Sequence, residues 1–318
     1  MNESIPSEMK AAALDRFGGP EELHTQLLPV PQPADDEVLL RVDTAGVGVW
    51  DPFVREGGFD DGSTRFPYVM GNDGAGVVVA VGAGVRRLRV GDRAYGYQIE
   101  GGFYAEYARV KEDRAAPIPR GLDPGEAGAL GADGITALLG LEDQLRLGKG
   151  QSLIIFGASG GIGHIAVQLA KRMGARVLAV ASRKDGVELV RRLGADAVVD
   201  GRKDDVVKAV TDFAPDGLDA ALVLANGPGL DDALKRIEKG GRIAYPRGVE
   251  PEPKAPQGVK LLAYDGEPSA EAFDRLNRWI GDAPFHVELG RVYRLEEVAQ
   301  AHRDVDKHHL GKLALRIH

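Results

Sequence analysis

Leu153-Ile154-Ile155-Phe156-Gly157-Ala158-Ser159-Gly160-Gly161-Ile162-Gly163 decides how this chain folds. An unbroken apolar run ended by glycine suits a strand buried on both faces, as in a parallel sheet. The glycines suit a sharp turn where side chains would block a close-approaching phosphate. Beyond it, Ile162, Ile165, Ala166, Leu169, Ala170 and Met173 recur at helical spacing. The first-turn N–H groups of such a helix lack intrahelical partners, and its dipole favours an anion at that end. Strand, glycine turn and helix together form a dinucleotide-binding fingerprint. Ser159, Gly160, Gly161 and Ile162 are the residues expected at the pyrophosphate, the last three through backbone N–H. A tight turn without a ligand would use the same glycines, so the flanking sequence has to choose.

The next strand, Arg176-Val177-Leu178-Ala179-Val180-Ala181, runs into Ser182-Arg183-Lys184. NAD-preferring sites carry an acidic residue about 20 positions beyond the glycines, where it receives the ribose 2′-hydroxyl. Ser182 stands there instead, followed by two cations, and a hydroxyl with Arg and Lys can hold a 2′-phosphate through charge-assisted hydrogen bonds. NADPH is therefore expected over NADH. The competing explanation, two cations solvating a helix start, runs against the helix dipole, although Asp185 follows one step later.

Composition sets the outer bounds. The 318 residues suffice for two domains with sizeable cores, and a net charge of −8 argues against nucleic acid as a partner. No apolar stretch approaches the roughly 18 residues that span a membrane. Met1-Asn2-Glu3-Ser4-Ile5 lacks the basic and apolar regions of a signal peptide, so a cytoplasmic protein is expected. The chain has no cysteine, which excludes disulfides and thiolate chemistry.

Residues 9 to about 122 read as strands separated by Gly and Pro turns, with period-two alternation at Val38-Leu40-Val42, Val77-Val79-Val81 and Phe103-Ala105-Tyr107. From Glu126 to Leu145 the pattern is helical. Strands near 151–156, 176–181, 197–199, 219–224 and 241–245 then alternate with helices, which implies a parallel sheet covered on both faces. Residues 259–264 add a candidate edge strand. A helix near 269–281, strand-like residues at 285–293, a helix from Leu295 to Asp306 and a strand from Leu313 to Ile317 complete the chain.

Several further segments carry a family likeness. Val81-Gly82-Ala83-Gly84-Val85, Val90-Gly91-Asp92-Arg93, Gly101-Gly102-Phe103-Tyr104-Ala105-Glu106-Tyr107, the glycine turn, Gly240-Gly241-Arg242, Ala301-His302 and Gly311-Lys312 occur in that order from about Lys10 to Ile317. Together they resemble the medium-chain dehydrogenase/reductase superfamily, and within it the zinc-independent quinone oxidoreductases of the zeta-crystallin type. The resemblance implies an α/β protein: a GroES-like β-rich catalytic domain (1–124 and a return over 267–318) and a Rossmann doubly wound parallel-sheet domain (125–266), with a cofactor cleft at their junction. It also implies a homodimer paired through the Rossmann sheet edge, for which Val259–Tyr264 is the candidate.

Zinc-dependent members hold a catalytic metal with cysteine and histidine. At the matching positions this chain has Gly46-Val47-Gly48-Val49-Trp50-Asp51, with Gly48 for the cysteine, and Gly71-Asn72-Asp73 for Gly-His-Glu. Zinc needs three or four converging N, S or carboxylate ligands, so no metal is expected. Without a Lewis acid, an acceptor that delocalises charge is favoured: a quinone or an α,β-unsaturated carbonyl. Many relatives place Asn and Tyr where Gly48 and Phe53 stand, so the pocket here is more apolar. Trp50 and Phe53 are candidates to stack on a flat substrate, with core packing as the alternative. Asp51, Tyr68 and Asn72 are the polar catalytic candidates, with protonation by solvent as the alternative. Thr136 matches a family threonine that reaches the nicotinamide amide; a helix-interior Thr bonding its own backbone is the other reading. Asn226 follows a Rossmann strand at the ligand-binding end of the sheet, or caps the next helix.

Two patterns are set aside. Tyr107 and Lys111 have the spacing of a short-chain dehydrogenase pair but lie on a strand before the glycine turn. His302, Asp306 and His309 share one side of a helical segment and read as solvated surface. The expected activity is NADPH-dependent hydride transfer to a small conjugated carbonyl or quinone. The alternatives are a ketone or aldehyde reductase of the same fold, and a weakly catalytic NADPH-binding sensor.

Overall fold

The computed structural model describes residues 5–58 and 60–318. The signal-peptide reading rests mostly on Met1–Ser4, which lie outside the described residues. Two compact units emerge. One takes the residues up to Ala132 together with Pro268–His318; the other is Asp133–Glu267.

Asp133–Glu267 is built on six strands, in spatial order Ala197–Asp200, Arg176–Ala181, Ser152–Phe156, Leu218–Val223, Ile237–Pro246 and Lys260–Tyr264. Every neighbouring pair is parallel. Ser152–Phe156 is buried along its whole length, as an apolar run without alternation requires. The chain winds from it to one side through Arg176–Ala181 and Ala197–Asp200, then returns to its other side with Leu218–Val223, so its carboxyl end is the topological switch point where such sheets take ligands. Helices Gly161–Arg172, Arg183–Arg192 and Val206–Phe213 follow successive strands. Lys260–Tyr264 lies at the sheet edge, with Leu261 38% exposed.

The β-rich unit holds a seven-stranded sheet and a three-stranded one, His24–Pro29, Glu8–Leu14 and Tyr68–Val69. Its long central strand, Glu37–Val47, pairs antiparallel with Asp73–Val81 on one side. On the other side it pairs with the returning C-terminal strand Lys312–Arg316, Ala314 opposite Gly46 and Leu313 opposite Val47. That return brings Lys312 beside Gly48 and Asp73. No helix among the described residues is long and apolar enough to cross a membrane.

Four local expectations need correction. The helical stretch Glu126–Leu145 is broken into a 3-10 turn Ala127–Ala129, an α-helix Gly131–Leu139 and a π-turn Gly140–Gln144. Its glycines are there for contact: a Cβ on Gly128 would overlap the Thr44 carbonyl oxygen, and one on Gly140 the Tyr264 hydroxyl. Phe103 and Tyr104 are both fully buried and bond to the Gly71 and Met70 carbonyls, so the ladder starts only at Tyr107. Strand structure at 285–293 is confined to Leu289–Arg294. Leu295–Glu297 is a 3-10 turn, the α-helix is Val298–Asp304, and His302 on it is buried, not solvated.

Candidate active site

In the parallel-sheet unit, Gly157 adopts φ +77°, and helix Gly161–Arg172 starts without any side-chain cap. The first-turn N–H groups of a helix have no intrahelical partners and suit an anionic acceptor. A Cβ on Gly163 would overlap the Gly157 carbonyl oxygen, so the turn closes only with glycine at that position. His164, fully buried, bonds through Nδ1 to the Gly160 carbonyl at 2.8 Å and fixes that peptide from the helix side. Ser159 is nearly buried; a Cβ on Gly186 would stand 2.8 Å from its Oγ, so the turn packs on the start of the next helix.

That next helix carries the expected 2′-phosphate residues. Ser182 is extended, and Arg183 takes φ +65°, a left-handed conformation that costs a non-glycine residue on the order of 1 kcal/mol. The Arg183 N–H donates to Asp200 Oδ1 at 3.3 Å, which holds the turn. Both cationic side chains are exposed, and Lys184 Nζ lies 3.7 Å from Glu188. Asn226 does not cap the following helix, whose cap is Gly229. Its Nδ2 donates instead to the Glu250 and Pro251 carbonyls, at 2.7 and 3.0 Å, and ties down the Pro-rich loop. Ala225 beside it packs against Gly157, 3.0 Å from where a Cβ would stand. Thr136 is nearly buried, with Gly266 against its Oγ1, and its carbonyl accepts from the Tyr264 hydroxyl at 3.0 Å. Sequence reasoning missed Asp133, whose carboxylate packs against the Cα of Gly161, where a Cβ would overlap it.

In the β-rich unit the polar candidates part company. Asn72 donates both Nδ2 hydrogens, to the Gln98 carbonyl at 3.1 Å and the Ile99 carbonyl at 2.9 Å, and so pins a turn. Tyr68 lines a groove of about 570 Å³ with Met9, Leu28, Gln98 and Arg109; burial, then the Asp51 charge, push its hydroxyl up to about 12. Asp51 is buried and accepts at Oδ2 from the Gly48 N–H at 2.7 Å and the Tyr104 hydroxyl at 2.8 Å. Burial pushes its carboxyl up to about 6, against the pull of those two hydrogen bonds and the Lys312 charge. Trp50 and Phe53 are not core residues: they are 41% and 43% exposed and stand edge to face with centroids 5.8 Å apart. Val49 beside them is 69% exposed.

An ion pair completes the cluster. Lys312 Nζ donates to Asp73 Oδ2 at 2.7 Å, with both side chains under 5% exposed, and the same oxygen accepts from the Ala132 N–H at 3.0 Å. Gly46 makes room for the pair; a Cβ there would overlap Asp73 Oδ1 and stand 2.8 Å from Lys312 Cε. From the space a Gly48 side chain would take, Lys312 Nζ is 3.9 Å away. Behind Tyr104, His302 meets its ring edge to face at 5.9 Å and bonds through Nδ1 to Arg55 Nη1 at 3.2 Å. Arg55 can only donate, so Nδ1 is the acceptor and Nε2 carries the hydrogen. Burial and the Arg55 charge push His302 down to about 3, which keeps it neutral.

Comparison with known proteins decides the family. Residues 34–120 match the alcohol dehydrogenase GroES-like domain and residues 161–259 the zinc-binding dehydrogenase domain. A quinone oxidoreductase of Rattus norvegicus is 31% identical over 321 residues, covering 97% of each chain. The chain belongs to the medium-chain dehydrogenase/reductase superfamily. Among its relatives in that superfamily, an NADPH-dependent alkenal/one oxidoreductase of Arabidopsis thaliana chloroplasts is 34% identical over 87% of this chain and 70% of its own. The structure of a mycobacterial protein complexed with NADPH superposes with a TM-score of 0.82 at 26% identity, covering 97% of this chain and all of the other. The two units are thus the GroES-like and Rossmann-type domains of a medium-chain dehydrogenase/reductase, a family that binds a nicotinamide cofactor, and the glycine turn fits one.

A zinc ion, implied by the second domain's description, fits less well. Gly48 offers no donor, the Asn72 amide nitrogen is committed to two carbonyls, and an ammonium already lies beside Gly48. Among the described residues no group of three or more His, Asp or Glu side chains converges to hold a metal.

Proposed function

We propose that the protein is an NADPH-dependent, zinc-independent oxidoreductase that transfers hydride to a quinone or an α,β-unsaturated carbonyl. The observation that carries the reading is that Gly48 offers no donor, the Asn72 amide nitrogen is committed to two carbonyls, and the Lys312 ammonium, already paired with Asp73, lies beside Gly48. An acceptor that spreads developing charge by conjugation suits such a site, and the exposed Trp50–Phe53 pair offers it aromatic, apolar contact. Two relatives whose names specify quinone and alkenal/one substrates support the same class. When bound, the nicotinamide supplies the hydride. Ser159, Gly160, Gly161 and Ile162 hold the pyrophosphate, Ser182, Arg183 and Lys184 the 2′-phosphate, and Thr136 and Asn226 line the nicotinamide end. A homodimer through Lys260–Tyr264, in the cytoplasm, is the expected working form; the exposed edge strand supports the pairing.

The test is NADPH oxidation followed by absorbance with three acceptors: an ortho-naphthoquinone, an enone and a simple ketone. Turnover of the quinone or enone is expected. Turnover of the ketone alone would assign a ketone reductase, and turnover of none a binding protein.

A further inference from the structure

The mechanism above lacks a group that answers the charge developing on the substrate oxygen. Asn72 is committed to two carbonyls, and the Asp51 carboxylate has the wrong sign whenever it is ionised. Lys312 has the right chemistry. An ammonium presents three donors and a full positive charge, and a buried one acts through a medium less screening than water.

Its position is the result of several coordinated features. The returning strand Lys312–Arg316 enters beside the central strand, and Gly46 leaves the gap through which the lysine stem passes to Asp73. Asp73 Oδ2, at 2.7 Å, holds the ammonium, and its second hydrogen bond from Ala132 fixes the carboxylate in turn. Gly48 is part-exposed, and the buried Lys312 Nζ lies 3.9 Å from where a Gly48 Cβ would stand. An oxygen seated in that space lies 3.9 Å from Nζ and 3.6 Å from Cε, so a small rotation of the lysine end brings the ammonium into hydrogen-bond reach. The exposed apolar residues Val49, Trp50 and Phe53 follow Gly48 within five positions in sequence.

We infer that Lys312 is a catalytic residue: its ammonium, held by Asp73 and reached over Gly48, stabilises the oxyanion that forms when a conjugated carbonyl accepts hydride. As hydride adds to the β-carbon, the alkene electron pair shifts and the carbonyl π pair moves onto oxygen, giving an enolate hydrogen-bonded to Nζ. A proton from water then completes the α-carbon, and Lys312 ends the cycle with its own proton. For a quinone the same oxygen becomes the phenolate, protonated by water. The ammonium thus supplies in fixed form the positive charge that a metal would supply. This inference rests on the proposed hydride transfer to a conjugated acceptor, and its test is separable from it.

Lys312 Nζ is bonded to Asp73, and its charge also acts on Asp51. A bound 4-nitrophenol is therefore the probe: its phenolate mimics the enolate oxygen and its absorbance reports ionisation. With NADP⁺ saturating, wild-type protein should bind 4-nitrophenol with its titration midpoint at least one unit below that in free solution. Lys312→Met combined with Asp73→Asn, which removes both members of the buried ion pair, should restore the free-solution midpoint. The same double variant should lower kcat for the quinone or enone about 10²-fold or more, with NADPH affinity within threefold of wild type. Lys312→Arg, which keeps the charge, should retain part of the titration shift. A wild-type midpoint equal to that in free solution, or unchanged kcat in the double variant, overturns the assignment. If wild-type protein turns over no conjugated acceptor, the proposed function fails, while the nitrophenol midpoint still decides whether Lys312 is an anion-stabilising group.

Discussion

The Tyr104 hydroxyl donates to Asp51 Oδ2 at 2.8 Å, and both side chains are buried. Burial pushes the Asp51 carboxyl up from 3.8 to about 6. Between those values the native state holds a proton that the unfolded chain has released, so native stability falls as pH rises through that window. At pH 7 the cost is on the order of 2–3 kcal/mol. Asp51→Asn keeps an acceptor for Gly48 and Tyr104 without the charge. Thermal or urea unfolding should find it more stable than wild type at pH 7 to 8, with the advantage gone near pH 4. A variant less stable than wild type at both values would refute this picture of Asp51.

Arg183 and Lys184 are expected to set cofactor choice. Replacing Arg183 by glycine suits its left-handed backbone, φ +65°, and removes the charge without new strain. Combined with Lys184→Ala, it should weaken NADPH binding roughly 10- to 100-fold and leave NADH within about threefold, since each lost charged hydrogen bond is worth about 1.5–3 kcal/mol. Fluorescence titration with both nucleotides measures the ratio; equal losses would remove the 2′-phosphate assignment.

Asp133 packs against Gly161 at the start of the phosphate-binding helix, so its carboxylate opposes an arriving pyrophosphate. Asp133→Asn should tighten NADPH several-fold at low salt and less at high salt, as a partly screened repulsion requires. Adenosine 2′-monophosphate, which has no pyrophosphate, should bind both forms alike. Weaker NADPH binding by the variant would mean that Asp133 contacts the cofactor favourably.

Gly163→Ala sets a methyl group against the Gly157 carbonyl oxygen and the Ala158 backbone. Backbone on both sides cannot yield as a flexible side chain would, so a loss of about 2–3 kcal/mol is expected together with lost dinucleotide binding. Unchanged melting and binding would show that the turn is looser than its geometry implies.

What the sequence made legible was local. The buried strand, the glycine turn and the helix after it are contiguous, and their residue types follow from packing and phosphate access. For Trp50 and Phe53 the sequence allows substrate stacking or core packing, and their exposure excludes the core. Lys312 and Asp73 could not be paired in advance because 239 residues separate them, and only the strand return across Gly46 joins them. His302 looked like helix surface because its spacing from Asp306 and His309 presupposed a longer helix than Val298–Asp304. The period-two pattern through Phe103 and Tyr107 misled for a related reason: Tyr104, between them, is buried to reach Asp51.

The most direct measurement follows deuterium from NADPH deuterated at the transferable C4 position into the product of an enone, using protein whose zinc content has been measured as well below one equivalent. Expected is deuterium on the β-carbon of the saturated carbonyl product, at a rate unchanged by added zinc. Deuterium on the carbonyl carbon, or a rate that appears only with zinc, would contradict a metal-free reductase of conjugated acceptors.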